Sequence, residues 1–238
     1  MKEKNPYKQR ALPLCWSPIF KDGSFCVGKC NEMAFRRVSS WPSNWPDRFL
    51  CIYGPKGSGK THLSAIWARG AAVLIEKKDI LLIKDKPELD KNESLYIIRI
   101  HNRYFSEKNF EASLLYLCRA IRDKSAFCLF LAEEAPTKWS VSLPDLRSRV
   151  AAVPSEAISL PDDNVLEAVL RKCLSDNELI ITHEVAKFIA SRIDRSFSYA
   201  QLVVNKINEL ALIAQKSCIS YSIAKEALDE LEKEKQEK

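Results

Sequence analysis

The chain has 238 residues, 46% hydrophobic and 29% charged, with only 6 Gly and 11 Pro. That composition supports a packed core and excludes disordered, collagenous and low-complexity classes. A net charge of +6 and a pI near 8.8 are mildly basic, too weak to indicate a nucleic-acid partner on their own.

Residues 1–20 read as a tail, with three prolines, no helical period and a short apolar island at Leu12-Pro13-Leu14. The first residues are charged and lack the apolar segment of a signal peptide, so a cytoplasmic location is expected. The longest uninterrupted apolar stretch, Ala126 to Ala132, is far short of the about 20 residues that cross a bilayer. Two prolines and two tryptophans between Trp41 and Asp47 indicate a structured loop. Arg48-Phe49-Leu50-Cys51-Ile52-Tyr53 is an apolar run of strand length ending at a glycine, followed by a predicted helix from about Gly59 to Arg69.

Ala72–Glu76 and Ile80–Lys84 are two further short apolar runs, and Leu95–Ile100 is a strand rich in β-branched residues. Phe110, Leu114, Leu117, Cys118 and Ile121 recur at helical spacing, which predicts a helix over 107–123. Phe127–Leu131 is another buried strand. Strands apolar on both faces, alternating with helices, predict an α/β domain with a parallel sheet between helices. After Leu160-Pro161 the pattern changes to four helical segments, near 162–176, 182–193, 197–216 and 221–235, with no strand. The expected organisation is a tail over 1–18, an α/β domain over 19–160 and a small all-helical domain over 161–238.

Eight cysteines include no Cys-x-x-Cys pair, and only three histidines accompany them. A four-ligand zinc site is not expected, and Cys51, Cys118, Cys128 and Cys173 sit inside apolar patterns as small hydrophobes.

Gly54-Pro55-Lys56-Gly57-Ser58-Gly59-Lys60-Thr61, followed by His62, matches the phosphate-loop pattern Gly-x-x-x-x-Gly-Lys-Ser/Thr between a predicted strand and a predicted helix. Glycines let successive N–H groups turn toward phosphate oxygens, and the helix N-terminus adds partial positive charge. Lys60 supplies a point charge, and the Thr61 hydroxyl can join a Mg²⁺ shell. The expected ligand is a nucleotide, with Mg²⁺ at its phosphates. Hydrolysis is a separate matter, because the strand expected to end in an acid ends Ile98-Arg99-Ile100-His101-Asn102-Arg103. Glu133 and Glu134, closing the next strand, offer a substitute carboxylate or merely cap that strand at the surface. Slow or absent intrinsic turnover is expected.

With these residues in hand, the chain resembles the DnaA-related AAA+ proteins over nearly its whole length, and among them the Hda-type regulators. Phe25-Cys26-Val27-Gly28 with Asn31 and Ala34 is similar to the family's segment leading into the nucleotide pocket, and Tyr53 to Leu63 is similar to its phosphate loop. Ala135-Pro136 resembles the turn after sensor 1, which places Glu134 where the family carries an acid. Leu143-Pro144-Asp145-Leu146-Arg147-Ser148-Arg149 is similar to box VII, which implies that Arg149 is an arginine finger acting in trans. The helical part resembles the family's lid.

Gln9-Arg10-Ala11-Leu12-Pro13-Leu14 resembles the peptide by which Hda-type proteins dock on the replicative sliding clamp, with Gln9, Leu12, Pro13 and Leu14 as the contacts. Two positions depart from the pattern: His101 stands at the strand acid, and Ser198 at the sensor 2 arginine, with Arg195 one turn earlier. The resemblance implies a regulator of replication initiation that binds the sliding clamp and stimulates ATP hydrolysis by the initiator DnaA. Contact with DNA would be indirect or weak, no membrane is involved, and homo-oligomers are compatible with it. Since the sequence stops after the lid, origin-box binding is not expected. The alternatives are an autonomous P-loop NTPase using Lys60, Thr61 and Glu134, or an adaptor recruiting another replication factor.

Overall fold

The computed structural model describes residues 25–43, 45, 47–83, 87, 89–90 and 92–236. The docking peptide anticipated at Gln9–Leu14 lies outside them. The chain divides into two compact units that part between Asp162 and Asp163.

The first unit is built on five parallel strands, β1 (Phe49–Tyr53), β2 (Val73–Ile75), β3 (Leu95–Ile100), β4 (Phe127–Ala132) and β5 (Ser155–Ala157), in the order β2-β3-β4-β1-β5. β4 therefore separates β1 from β3, with Tyr53 and Ile100 both in register with Ala132. Side chains alternate between two apolar layers, because successive residues of a strand point to opposite faces. Phe49, Cys51, Tyr96, Ile98, Cys128 and Phe130 pack on one face with helix α4 (Phe110–Asp123). Leu50, Ile52, Leu95, Ile97, Leu129 and Leu131 pack on the other with α1 (Glu32–Ser39) and α2 (Lys60–Ala68). Burial on both faces explains why these strands read as unbroken apolar runs rather than as alternating ones.

On the α2 face, Trp41 and Trp45 join an aromatic cluster. Trp45 stacks on Trp67 at 5.4 Å, and Trp41 meets Trp67 and Phe127 edge-on. Of the two short runs after α2, the first contains β2. The second falls in and beyond α3 (Lys77–Leu81), started by a capping box in which Glu76 and Asp79 satisfy each other's backbone N–H groups. The helix expected over 107–123 begins at Phe110, after a 3₁₀ turn at Asn102–Ser106. α5 (Pro144–Ala151) opens with a proline at its first position, where the missing N–H costs nothing.

The second unit packs α6 (Asp163–Asp176), α7 (His183–Ala190), α8 (Phe197–Ala214) and α9 (Tyr221–Gln236) around Leu166, Leu170, Leu174, Val203, Ile207 and Ala227. The expectation of no strand here is corrected. β6 (Ile180–Ile181) and β7 (Cys218–Ile219) pair in parallel across the inter-helix connections. Two residues are too few for any periodic signal in the sequence. Thr182 and Ser196 cap α7 and α8 through their hydroxyls. Among the described residues, no helix is long and apolar enough to cross a membrane.

Candidate nucleotide site

The site begins where β1 ends. The Gly54 N–H donates to the Ala132 carbonyl at 3.1 Å, so the loop leaves the sheet directly beside the end of β4. A Cβ on Gly54 would stand 2.0 Å from the Ile158 carbonyl oxygen, so only glycine fits there. Gly59 caps α2 in the left-handed region, at φ 93°, which a side chain would oppose. These two glycines bend the chain so that the N–H groups of α2's first turn, which lack intrahelical acceptors, face the loop's concavity.

The Lys60 ammonium folds over the loop and donates to the carbonyls of Gly54 at 2.6 Å and Pro55 at 2.8 Å. Burial pushes its pKa down, and the Glu133 carboxylate nearby pulls it partly back up. Ser58 is fully buried, and its hydroxyl has no hydrogen-bond partner. Thr61 is exposed on the first turn of α2. Orphan backbone donors, a partly desolvated cation and an unsatisfied buried hydroxyl fit an anionic group with several acceptor oxygens, as a nucleotide's phosphates provide. Pro55, Lys56 and Gly57 form the loop's outer turn, with Pro55 and Lys56 exposed.

The segment before α1 borders the same loop. Buried Asn31 accepts from the Gly28 N–H at 2.9 Å and donates to the Cys26 carbonyl at 3.0 Å, holding the backbone in a tight curl. The Cys30 carbonyl accepts from Ser159 N–H just past β5, and Phe25 lies edge-on to His62 at 5.2 Å. His62 thus sits against aromatic groups at the back of the loop.

At the ends of β3 and β4 the structure separates the two glutamates. Glu134 accepts from the Asn102 amide at 2.6 Å, and the Asn102 carbonyl oxygen takes the Ser140 N–H at 2.8 Å. That carboxylate is therefore engaged with the turn after β3. Glu133 instead lies 3.6 Å from His101 Nδ1. Sequence reading offered both residues as a substitute carboxylate and, by resemblance, put Glu134 at the family's acid; spacing carries no signal for choosing between them, because the difference comes from strand pairing.

Arg149 sits in the last turn of α5, about 38% exposed at its side chain, and its Nε donates to Asp145 at 2.8 Å. Arg119 of α4 reaches the other oxygen of Asp145 at 2.6 Å. The two guanidinium groups hold the Asp145 carboxyl below the usual carboxylate range. Sequence reasoning did not anticipate this clamp, since Arg119 lies 26 positions away. In the second unit, Arg195 donates to Asp163 at 3.1 Å and Ser198 stands at the start of α8. Among the described residues, no group of three or more His, Cys, Asp or Glu side chains could hold a metal ion.

A phosphate loop between strands one and four of a 2-3-4-1-5 parallel sheet, followed by a helical unit, defines an AAA+ domain. Solved structures agree on that fold. The chain aligns with domain III of the Thermotoga maritima replication initiation protein DnaA at a TM-score of 0.75 and 19% identity, over 90% of this chain and 97% of that one. Thermotoga maritima RuvB aligns at 0.64 and 18% identity, over 86% and 70% of the chains. A replication initiator DnaA bound to AMPPCP and single-stranded DNA aligns at 0.60 and 13% identity, over 92% and 93%.

By sequence, the chain is distantly similar to chromosomal replication initiator proteins. It is 25% identical to the chromosomal replication initiator protein DnaA of Nautilia profundicola over 92% of its own length, and 24% identical to that of Buchnera aphidicola over 89%. It spans about half the length of these relatives, 54% and 53% respectively. No protein-family model matches the chain.

Proposed function

We propose that this protein is a nucleotide-binding AAA+ regulator of replication initiation, of the Hda type. In this reading it binds ADP or ATP with Mg²⁺, hydrolyses it slowly or not at all, and acts on the nucleotide of the initiator DnaA through Arg149. The observation that carries the reading is a complete phosphate loop set beside a β3 terminus whose acid position holds His101. Neutral imidazole is a poor Mg²⁺ ligand, and Asn102, next along, is an amide committed to Glu134 and Ser140. Such a site retains ligand and is poorly equipped to activate water.

Within this site Lys60 and the first-turn N–H groups would hold the phosphates, and Thr61 would lend its hydroxyl to the Mg²⁺ shell. The bound metal would neutralise phosphate charge. Lys60 must release the Gly54 and Pro55 carbonyls to reach a phosphate. Arg149 lies in the segment similar to box VII and is partly exposed, so its reach into a neighbouring subunit requires only breaking the contact with Asp145. Gln9, Leu12, Pro13 and Leu14 would dock on the sliding clamp and bring Arg149 to DNA-bound DnaA.

The test uses the full chain with purified clamp and ATP-loaded DnaA. Clamp binding lost in Gln9→Ala/Leu14→Ala, and DnaA hydrolysis stimulated by wild type but not by Arg149→Ala, is the expected result. Clamp binding that survives the double substitution removes the docking assignment. Stimulation that survives Arg149→Ala removes the finger.

A further inference from the structure

The acid missing from the end of β3 has a counterpart one strand away. Ile100 and Ala132 are the last paired residues of β3 and β4, and just past them the side chains of His101 and Glu133 lie 3.6 Å apart. Alternation along β4 carries Leu129 and Leu131 to the face covered by α2, and Glu133 is the first residue past the strand's end. β4 is also the strand that Gly54 leaves, through its bond to Ala132. Glu133 therefore stands between the phosphate loop on one side and His101 on the other.

We propose that Glu133 is the carboxylate of the Mg²⁺-nucleotide site, transferred from β3 to β4, with His101 as its neighbour. The proposal rests on the nucleotide reading above and names which residue completes it. Relocation by one strand moves the acid about 4.8 Å toward the loop, a step the sheet's own spacing defines. The chemistry fits: Mg²⁺ takes oxygen ligands, keeps several waters, and is commonly held by one or two carboxylates plus substrate phosphates. A site with Thr61, Glu133 and the nucleotide needs no cluster of three acidic or imidazole ligands. Glu134 does not compete, since Asn102 engages its carboxylate at 2.6 Å. The partial recovery of the Lys60 pKa by Glu133 agrees with a carboxylate close to the loop's cation.

The experiment titrates ATP and ADP calorimetrically into the full chain, in Mg²⁺ and in EDTA. Wild type is expected to bind ATP more tightly with Mg²⁺ than in EDTA. Glu133→Gln should erase that difference, weakening binding in Mg²⁺ while leaving it equal or tighter in EDTA, where the carboxylate only repels phosphate. Glu134→Gln should keep the difference, and His101→Asp in the Glu133→Gln background should restore it by returning an acid to β3. Glu133 is exposed, so circular dichroism should show both glutamate variants folded. A full Mg²⁺ dependence in Glu133→Gln, or none in wild type, overturns the assignment while leaving nucleotide binding standing. Absence of binding by wild type in either buffer overturns the nucleotide reading itself, and the Glu133 assignment with it.

Discussion

At Gly54 the backbone passes so close to Ile158 that any side chain must displace a carbonyl belonging to the β5 exit. Gly54→Ala should lower stability by about 1–3 kcal/mol, the usual cost of overpacking, and should abolish nucleotide binding. Chemical denaturation checks the first part; an unchanged midpoint would show that the loop can shift. Lys60 makes the opposite case. Its folded-state pKa is lowered by burial, so the charged form is penalised in the folded protein, and removing the charge relieves that penalty. Lys60→Met should leave the thermal midpoint equal or higher while eliminating binding. A clear drop in the midpoint would instead make the Gly54 and Pro55 contacts a structural brace.

At the scale of elements, two junctions position the site. Asn31 ties the strand-like approach of Phe25–Gly28 to the start of α1, with both ends of its amide used. Asn31→Ala should cost about 1–3 kcal/mol by stranding buried backbone groups, and should weaken nucleotide binding because the curl borders the loop. Titration of ADP against thermal stability separates the two effects. On α5, Asp145 holds Arg149 and Arg119 together. A carboxyl with a depressed folded-state pKa contributes above its unfolded value and loses that contribution as pH falls through the folded one. At neutral pH the carboxylate is charged and the clamp is closed, and protonating Asp145 in acid weakens it. Asp145→Asn should free Arg149 at neutral pH, so stimulation of DnaA hydrolysis should stay equal or rise. A loss comparable to Arg149→Ala would mean that Asp145 positions the finger rather than restrains it.

Across the molecule, two cores carry the stability. One unit wraps both faces of the sheet, and the other closes four helices on Leu166, Leu170 and Leu174, all fully buried. Leu170→Ala should cost about 2–5 kcal/mol, the range for deleting a buried leucine, and amides of α6 to α9 should lose protection from hydrogen exchange. Unchanged protection there would show that the helical unit repacks around the gap.

Much of this architecture was legible before any coordinates. Apolar runs without alternation announced a covered parallel sheet, and the glycine-lysine-threonine pattern between a strand and a helix announced a phosphate loop. Both signals are local: they arise from side-chain periods of two and about 3.6 residues and from backbone freedom at single positions. Lateral neighbours were not legible, because strand order depends on crossovers dozens of residues long. Only the tertiary structure placed β4 between β1 and β3, set Glu133 beside His101, and gave Glu134 to Asn102. It alone brought Arg119 to Asp145, and it alone paired the two-residue strands of the helical unit, too short to leave a pattern. The sequence by itself determined the longer elements and the phosphate-loop pattern; the fold decided which side chains meet across neighbouring strands, because register is a property of strands meeting rather than of either strand.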